Sequence, residues 1–230
     1  MEYIKDFFYV QTMALKRTLF SLGYLPLLFV ANLAILLLLN IGDNIFGQIL
    51  PPLALQLVNY ILKIFALSIL FGLLRLSIKK NEIRFHSRGI YADYMGSLVE
   101  IALINYFIKM LLGRFFAVFS WYYLIIFILL NPLPESVYLG NGNGVQAIGN
   151  SLELMKNNFH QWLPNMVIAY FLYPKILRLI QNPLKKSPQD ILVFLGINLV
   201  FLGVMIYRGQ LYEILSKSNM RKRRFMKEME

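Results

Sequence analysis

Between Gly23 and Ile41 the chain reads GYLPLLFVANLAILLLLNI, without a charged residue. A helix needs about 20 apolar residues to cross the ~30 Å of a bilayer's hydrocarbon. Comparable runs recur at Leu55–Ile78, Tyr94–Leu112, Phe115–Leu130, Trp162–Ile180 and Asp190–Tyr207. Lipid offers no partners for exposed backbone polar groups, so runs of this length are expected to close their hydrogen bonds internally as helices. Composition agrees: 58% of residues are hydrophobic and 15% charged, whereas soluble domains sit near 45–50% and about 25%. The expected fold is all-α, a polytopic membrane protein forming one domain over 1–230. It has six transmembrane helices plus amphipathic interfacial helices.

Met1–Arg17 precedes the first run. Tyr3, Phe7, Val10 and Ala14 can share a face away from Lys5, Asp6 and Lys16, the pattern of an interfacial helix over 3–17. Its early acidic residues and the long run that follows do not suit a cleaved signal peptide. Gly42–Pro52 carries Asp43 and no Lys or Arg, which suits the outer side, whereas Lys79–Arg88 (KKNEIRFHSR) suits the cytoplasm. Six spans with the N-terminus inside place Lys5, Lys16, Arg17, that loop, Lys156 and the basic tail 208–230 on the inner face. Lys109, Arg114, Lys175, Arg178, Lys185 and Lys186 are left outside. Laying 94–112 flat gives five spans, exports the tail and weakens the asymmetry. The net charge of +11 is therefore read as loops and tail meeting anionic headgroups, and not as a nucleic-acid surface. Both termini are expected in the cytoplasm and the chain in a bacterial cell membrane.

Asn131–Phe159 is the longest interval between apolar runs. Two prolines make a rigid bend, GNGNG follows, and helical periodicity then resumes. Val145, Ile148, Leu152, Met155 and Phe159 form an apolar stripe over 143–160, the candidate lipid- or partner-facing surface. Asn143 can cap this helix, with Gln146 reaching back. The glycines lack the Lys-Ser/Thr and the strand of a phosphate loop.

Lys63, Glu100, Asn105 and Lys109 are the strongly polar groups within expected spans, and Glu135 follows the bend. Charged groups at membrane depth mark pathways or pairs, so these five form the candidate intramembrane polar site. Lys63 with Glu100 is the sharpest possible pair, set against snorkelling of Lys63 and Lys109 to the headgroups. Glu135 is expected as an interfacial residue at the helix exit.

The absence of cysteine removes disulfides, thiolate catalysis and Cys-based metal sites. His86 and His160 stand far apart, and no His-Glu-x-x-His or Gly-x-Ser-x-Gly occurs. No catalytic residue, cofactor or metal is expected.

Ala147-Ile148-x-x-Ser151-Leu152-x-Leu154-x-Lys156-Asn157-Asn158-Phe159, followed by a span, resembles a segment of uncharacterised bacterial six-span membrane proteins. These include the membrane domain that accompanies some glycerophosphoryl diester phosphodiesterases. The likeness covers this segment and the order of spans. It implies a six-helix membrane domain with the 143–160 helix on the cytoplasmic side. The catalytic domain of those enzymes has no counterpart here, so no hydrolase activity follows. The expected function is that of a non-enzymatic accessory or partner-binding membrane subunit, with membrane lipid and another membrane protein as partners. The alternative is a permease-like component for a small or amphiphilic solute.

Overall fold

A computed structural model describes residues 2–79, 90–118, 121–140, 143–180 and 188–218, and the regular elements among them are all helical. In chain order they are α1 (Glu2–Ser21), a 3-10 turn (Leu22–Tyr24), α2 (Leu25–Ile49), α3 (Pro52–Ile78) and α4 (Ile90–Val118). Then come α5 (Trp121–Leu129), α6 (Leu133–Leu139), α7 (Gly144–Ile180) and α8 (Pro188–Lys217). Three described helical stretches, Tyr3–Leu39, Ala54–Ile78 and Ile191–Lys217, are long and apolar enough to cross a membrane. Tyr94–Ile108 and Leu124–Leu139 are shorter apolar helices. The chain is an all-helical, membrane-associated protein.

Several boundaries differ from the sequence expectation. The helix expected to end at Ile41 continues to Ile49, because nothing before Pro51-Pro52 forbids it. Proline excludes its predecessor from helical backbone, and Leu50 is extended at φ −99°, ψ 143°. The expected span 115–130 is not a single helix. Its first part belongs to α4, while α5 has nine residues and rises only ~14 Å. The expected tail also needs correction: Arg208–Lys217 continues α8 as helix and carries buried Leu211, Tyr212, Ile214 and Leu215. The loops at 80–89 and 181–187 and the tail beyond Ser218 lie outside the described residues. Within α7, Asn158 leaves helical geometry (φ −137°, ψ 28°). It divides the helix between the expected interfacial segment and the expected span at Trp162. Asn157 and Asn158 are weak helix formers, because asparagine side chains compete for backbone hydrogen bonds.

Long-range hydrogen bonds set the arrangement. Gln11 accepts from the Tyr207 hydroxyl, and Gln210 donates to Ser21 at 3.0 Å. Gln11 and Ser21, about three turns apart on α1, are thus both tied to the 207–210 stretch of α8. From Ser21 the chain turns and α2 runs antiparallel to α8, with Asn32 donating to Asn198 at 2.8 Å. At the end of α3, Arg75 donates to the Tyr94 hydroxyl of α4 and to the Tyr138 carbonyl of α6. The chain therefore leaves this level along α4 and comes back to it by α6. Ser21, Arg75, Tyr94, Tyr138 and Gln210 thus share one end of the bundle. Val10, Ala14, Leu74, Tyr138, Trp162, Ile206 and Leu211 are buried in the cluster that fills it.

The start of α7 is held against α4. Asn143 caps it, its Oδ1 accepting from the Gln146 N–H at 3.0 Å, and the Gly144 N–H donates to the Glu100 carboxylate at 2.7 Å. A Cβ on Gly144 would stand 2.7 Å from the Ser97 carbonyl oxygen. That oxygen belongs to backbone and cannot rotate away. Gly144→Ala is expected to destabilise by about 1–3 kcal/mol in chemical unfolding in detergent. Gly149→Ala, whose Cβ meets nothing within 4 Å, should be neutral or stabilising by up to ~1 kcal/mol.

Candidate functional site

The Pro132 and Pro134 bend ends α5 and starts the seven-residue α6. A helix this short does not hold itself together in isolation. Its anchor is Glu135, fully buried and facing Arg208 of α8, which is equally buried. Arg208 Nε donates to Glu135 Oε1 at 2.6 Å, and Nη2 donates to Oε2 at 2.9 Å and to the Asn131 carbonyl at 2.7 Å. This is the bidentate fork that guanidinium geometry favours. The guanidinium carbon lies 5.3 Å from the Trp162 ring centroid, a cation–π contact. The Trp162 indole N–H donates to Asn131 Oδ1 at 2.9 Å. One network thus joins the α5–α6 bend, α7 beyond its kink, and α8.

Hydroxyls seat the neighbouring elements. Ser136 donates to the Ala147 carbonyl at 2.7 Å, and Ser151 donates to the Leu129 carbonyl at 3.2 Å. On the other side of α7, Gln161 donates to Asp6 at 2.9 Å, and its carbonyl accepts from Gln11 at 2.7 Å. One turn further on, Asn165 is buried, and neither of its side-chain polar atoms has a hydrogen-bond partner among the described residues.

The five residues of the candidate intramembrane site do not converge. Lys63 and Asn105 are exposed on α3 and α4. Lys109 lies on α4, its side chain outside the described residues. Half-buried Glu100 holds the Gly144 amide, and among the described residues no ion pair joins it to Lys63. Glu135 is not interfacial: it is fully buried and taken up by Arg208. In the stripe, Val145 is 60%, Leu152 40% and Phe159 44% exposed, Ile148 is intermediate, and Met155 is buried, with 2% exposed. The face turned to the core is the neighbouring one, with Ala147, Ser151, Leu154, Met155 and Asn158.

Arg208, Asn131 and Trp162 were not nominated by the sequence reading. The available signal was the apolar helix beyond Arg208: Leu211, Tyr212, Ile214 and Leu215 resume helical spacing, so the charge falls inside a buried element. No cluster of three or more His, Cys, Asp or Glu able to hold a metal occurs among the described residues. The network contains no nucleophile beside a base, and both oxygens of its carboxylate accept from the guanidinium. Its chemistry is that of a structural tie.

No protein-family model, curated protein or solved structure matches the chain. The arrangement is therefore read from its own geometry. Breaking a buried pair by removing one partner costs about 3–5 kcal/mol, while replacing both with apolar residues is far cheaper. Glu135→Met and Arg208→Met should each destabilise by about that amount in chemical unfolding in detergent. The double variant should lose much less than the two together, and strict additivity would show that they do not act as a pair.

Proposed function

We propose that this protein is a non-enzymatic integral membrane subunit that binds another membrane protein along one flank of α7. The observation that carries this is an uncovered apolar row on a firmly held helix. Ser136, Ser151 and Glu100 fix α7 from its buried side and from its start, while Val145, Leu152 and Phe159 stay exposed. Beyond the kink the exposed residues continue with Leu163, Val167 and Tyr170. A surface running from the interfacial half of α7 into its apolar half suits a partner that is itself embedded in lipid.

In this reading the chain crosses the membrane six times, the fourth crossing being made by α5 and α6 together over the apolar stretch Leu124–Leu139, with both ends on the cytoplasmic face of a bacterial membrane. The Ser21–Gln210 hydrogen bond supports it, because the start of α2 and the far part of α8 stand at one level. Arg75, touching both Tyr94 and Tyr138, supports an even number of crossings between them. A permease-like component would instead gather Lys63, Glu100 and Glu135 around a polar cavity. Lys63 faces outward and Glu135 is saturated by Arg208, which favours the subunit reading.

Two measurements test it. Val145→Ser with Leu152→Ser should abolish co-purification of a membrane partner in mild detergent while leaving thermal stability within about 0.5 kcal/mol, as for exposed positions generally. Unchanged recovery of the partner would sink the docking surface. For topology, cysteines introduced singly for Tyr3 or Ser218 should resist a membrane-impermeant maleimide in intact cells, and one for Gln48 should react. Labelling of either end from outside would overturn the six-crossing arrangement.

A further inference from the structure

The other flank of α7 borders a cleft of about 380 Å³, within the ~300–1,000 Å³ of small-ligand pockets. Its walls are the ends of α3, α6 and α8 and the first half of α7, and the polar side chains include Lys79, Asn150, Glu153, Asn157, Ser216 and Lys217. Asn150, Glu153 and Asn157 recur at three and four positions, so they form one face of the helix. Tyr212, only 4% exposed, is also part of the lining.

Depth narrows the ligand. The apolar stretch of α8 from Ile191 to Lys217 has 27 residues and rises ~40 Å. That exceeds the ~30 Å hydrocarbon core and approaches the ~40–45 Å that includes headgroups. With α8 across the bilayer, Tyr212–Lys217 stands in the headgroup layer. Charge narrows it further, because the cleft carries both signs. Lys79 and Lys217 are ammonium donors, Lys217 also reaching Glu213 at 2.5 Å, and the two asparagine amides add N–H groups. Opposite in sign are Glu153 and the carboxyl ends of α3 and α8, where helix dipoles place partial negative charge. A bare anion would meet the carboxylate, and a bare cation the lysines.

We propose that this cleft binds a phosphoethanolamine group. The phosphate oxygens accept from Lys79 and the Asn150 amide, and the primary ammonium donates to Glu153, one turn further along the same face. A trimethylammonium has no N–H to donate, so a choline headgroup lacks that second contact. The group can arrive as a lipid headgroup or as free O-phosphoethanolamine. The site is separate from the apolar flank and stands or falls independently of it.

Native mass spectrometry of the delipidated full chain in detergent tests this, using phosphatidylethanolamine, phosphatidylcholine and phosphatidylglycerol as probes. The ethanolamine lipid should bind about fivefold more tightly than the choline lipid. Glu153→Gln should erase that preference while sparing phosphatidylglycerol, and Lys79→Gln should weaken all three. Lys156→Gln, exposed on the same helix outside the cleft, should change nothing. Displacement of the bound lipid by free O-phosphoethanolamine would support the group alone as sufficient. Failure of displacement beside an intact Glu153 effect would support the lipid as the source. Equal binding of the ethanolamine and choline lipids, an unchanged ratio in Glu153→Gln, or an equal loss in Lys156→Gln would overturn the site.

Discussion

A guanidinium and a carboxylate removed from solvent must satisfy each other or destabilise whatever holds them, and Arg208 with Glu135 determines how this bundle closes. Two parallel hydrogen bonds leave little freedom in direction, so α6 can sit on α8 in one register only. The third bond, to the Asn131 carbonyl, covers a group that the α5–α6 bend would leave unpaired. Trp162 then completes the enclosure by lying against the guanidinium and donating to the Asn131 side chain. Close backbone approach is part of the same design. A Cβ on Gly209 would fall 2.1 Å from Ile78 Cδ1 and 2.7 Å from the Tyr138 hydroxyl, so the residue next to Arg208 brings α3, α6 and α8 together.

Polar groups are distributed unequally along the bundle for the same reason. At the end that holds Arg208, hydrogen bonds from Arg75, Ser136, Gln161 and Gln210 link α1, α3, α6, α7 and α8. Directional bonds supply the register that apolar packing alone leaves open. Toward the other end α2 and α8 run alongside each other, and the Asn32–Asn198 bond joins them. An amide pair of this kind fixes the helix offset, as small polar contacts do between helices in lipid. The two ends therefore follow different rules: long apolar helices that pack by length, and a layer of helices pinned by polar contacts.

This division explains what could be read from the sequence. Apolar run length located α2, α3 and the first part of α8, because helices of that kind are specified by burial over many residues. The cap at Asn143 was also legible, since local chemistry produces it, whereas the break at Asn158 falls inside the helix expected over 143–160. The pinned layer was not legible. Arg208 read as the start of a basic tail because nothing local says that Glu135, 73 positions away, lies opposite it. The core face of α7 was not legible either: hydrophobic periodicity picks out Val145, Ile148, Leu152, Met155 and Phe159, a row expected to face lipid or a partner, and says nothing of the neighbouring face. Ala147 and Ser151 face the core because close contact with α6 and α5 needs a small side chain and a hydroxyl donor. A hydrophobicity pattern instead selects the larger residues beside them. The continuation of α2 past Ile41 went unseen because glycine, aspartate and asparagine weaken a helix without ending it, whereas Pro51-Pro52 ends it outright.

The same phase argument separates the two flanks of α7. At ~100° per residue, Val145, Ile148, Leu152 and Phe159 fall on one side of the buried face, and Asn150, Glu153 and Asn157 fall on the other. A helix lying at an interface as a lone amphipathic element needs only two faces, one for lipid and one for water. This one has three: a core face of Ala147, Ser151, Leu154 and Met155, an apolar flank and a polar flank bordering a cleft. The third face makes sense only because α7 is already anchored by the core face, which frees the flanks from holding the helix in place. Substitutions on either flank therefore change what the helix meets without changing where it sits, and this allows the apolar row and the cleft to be tested separately.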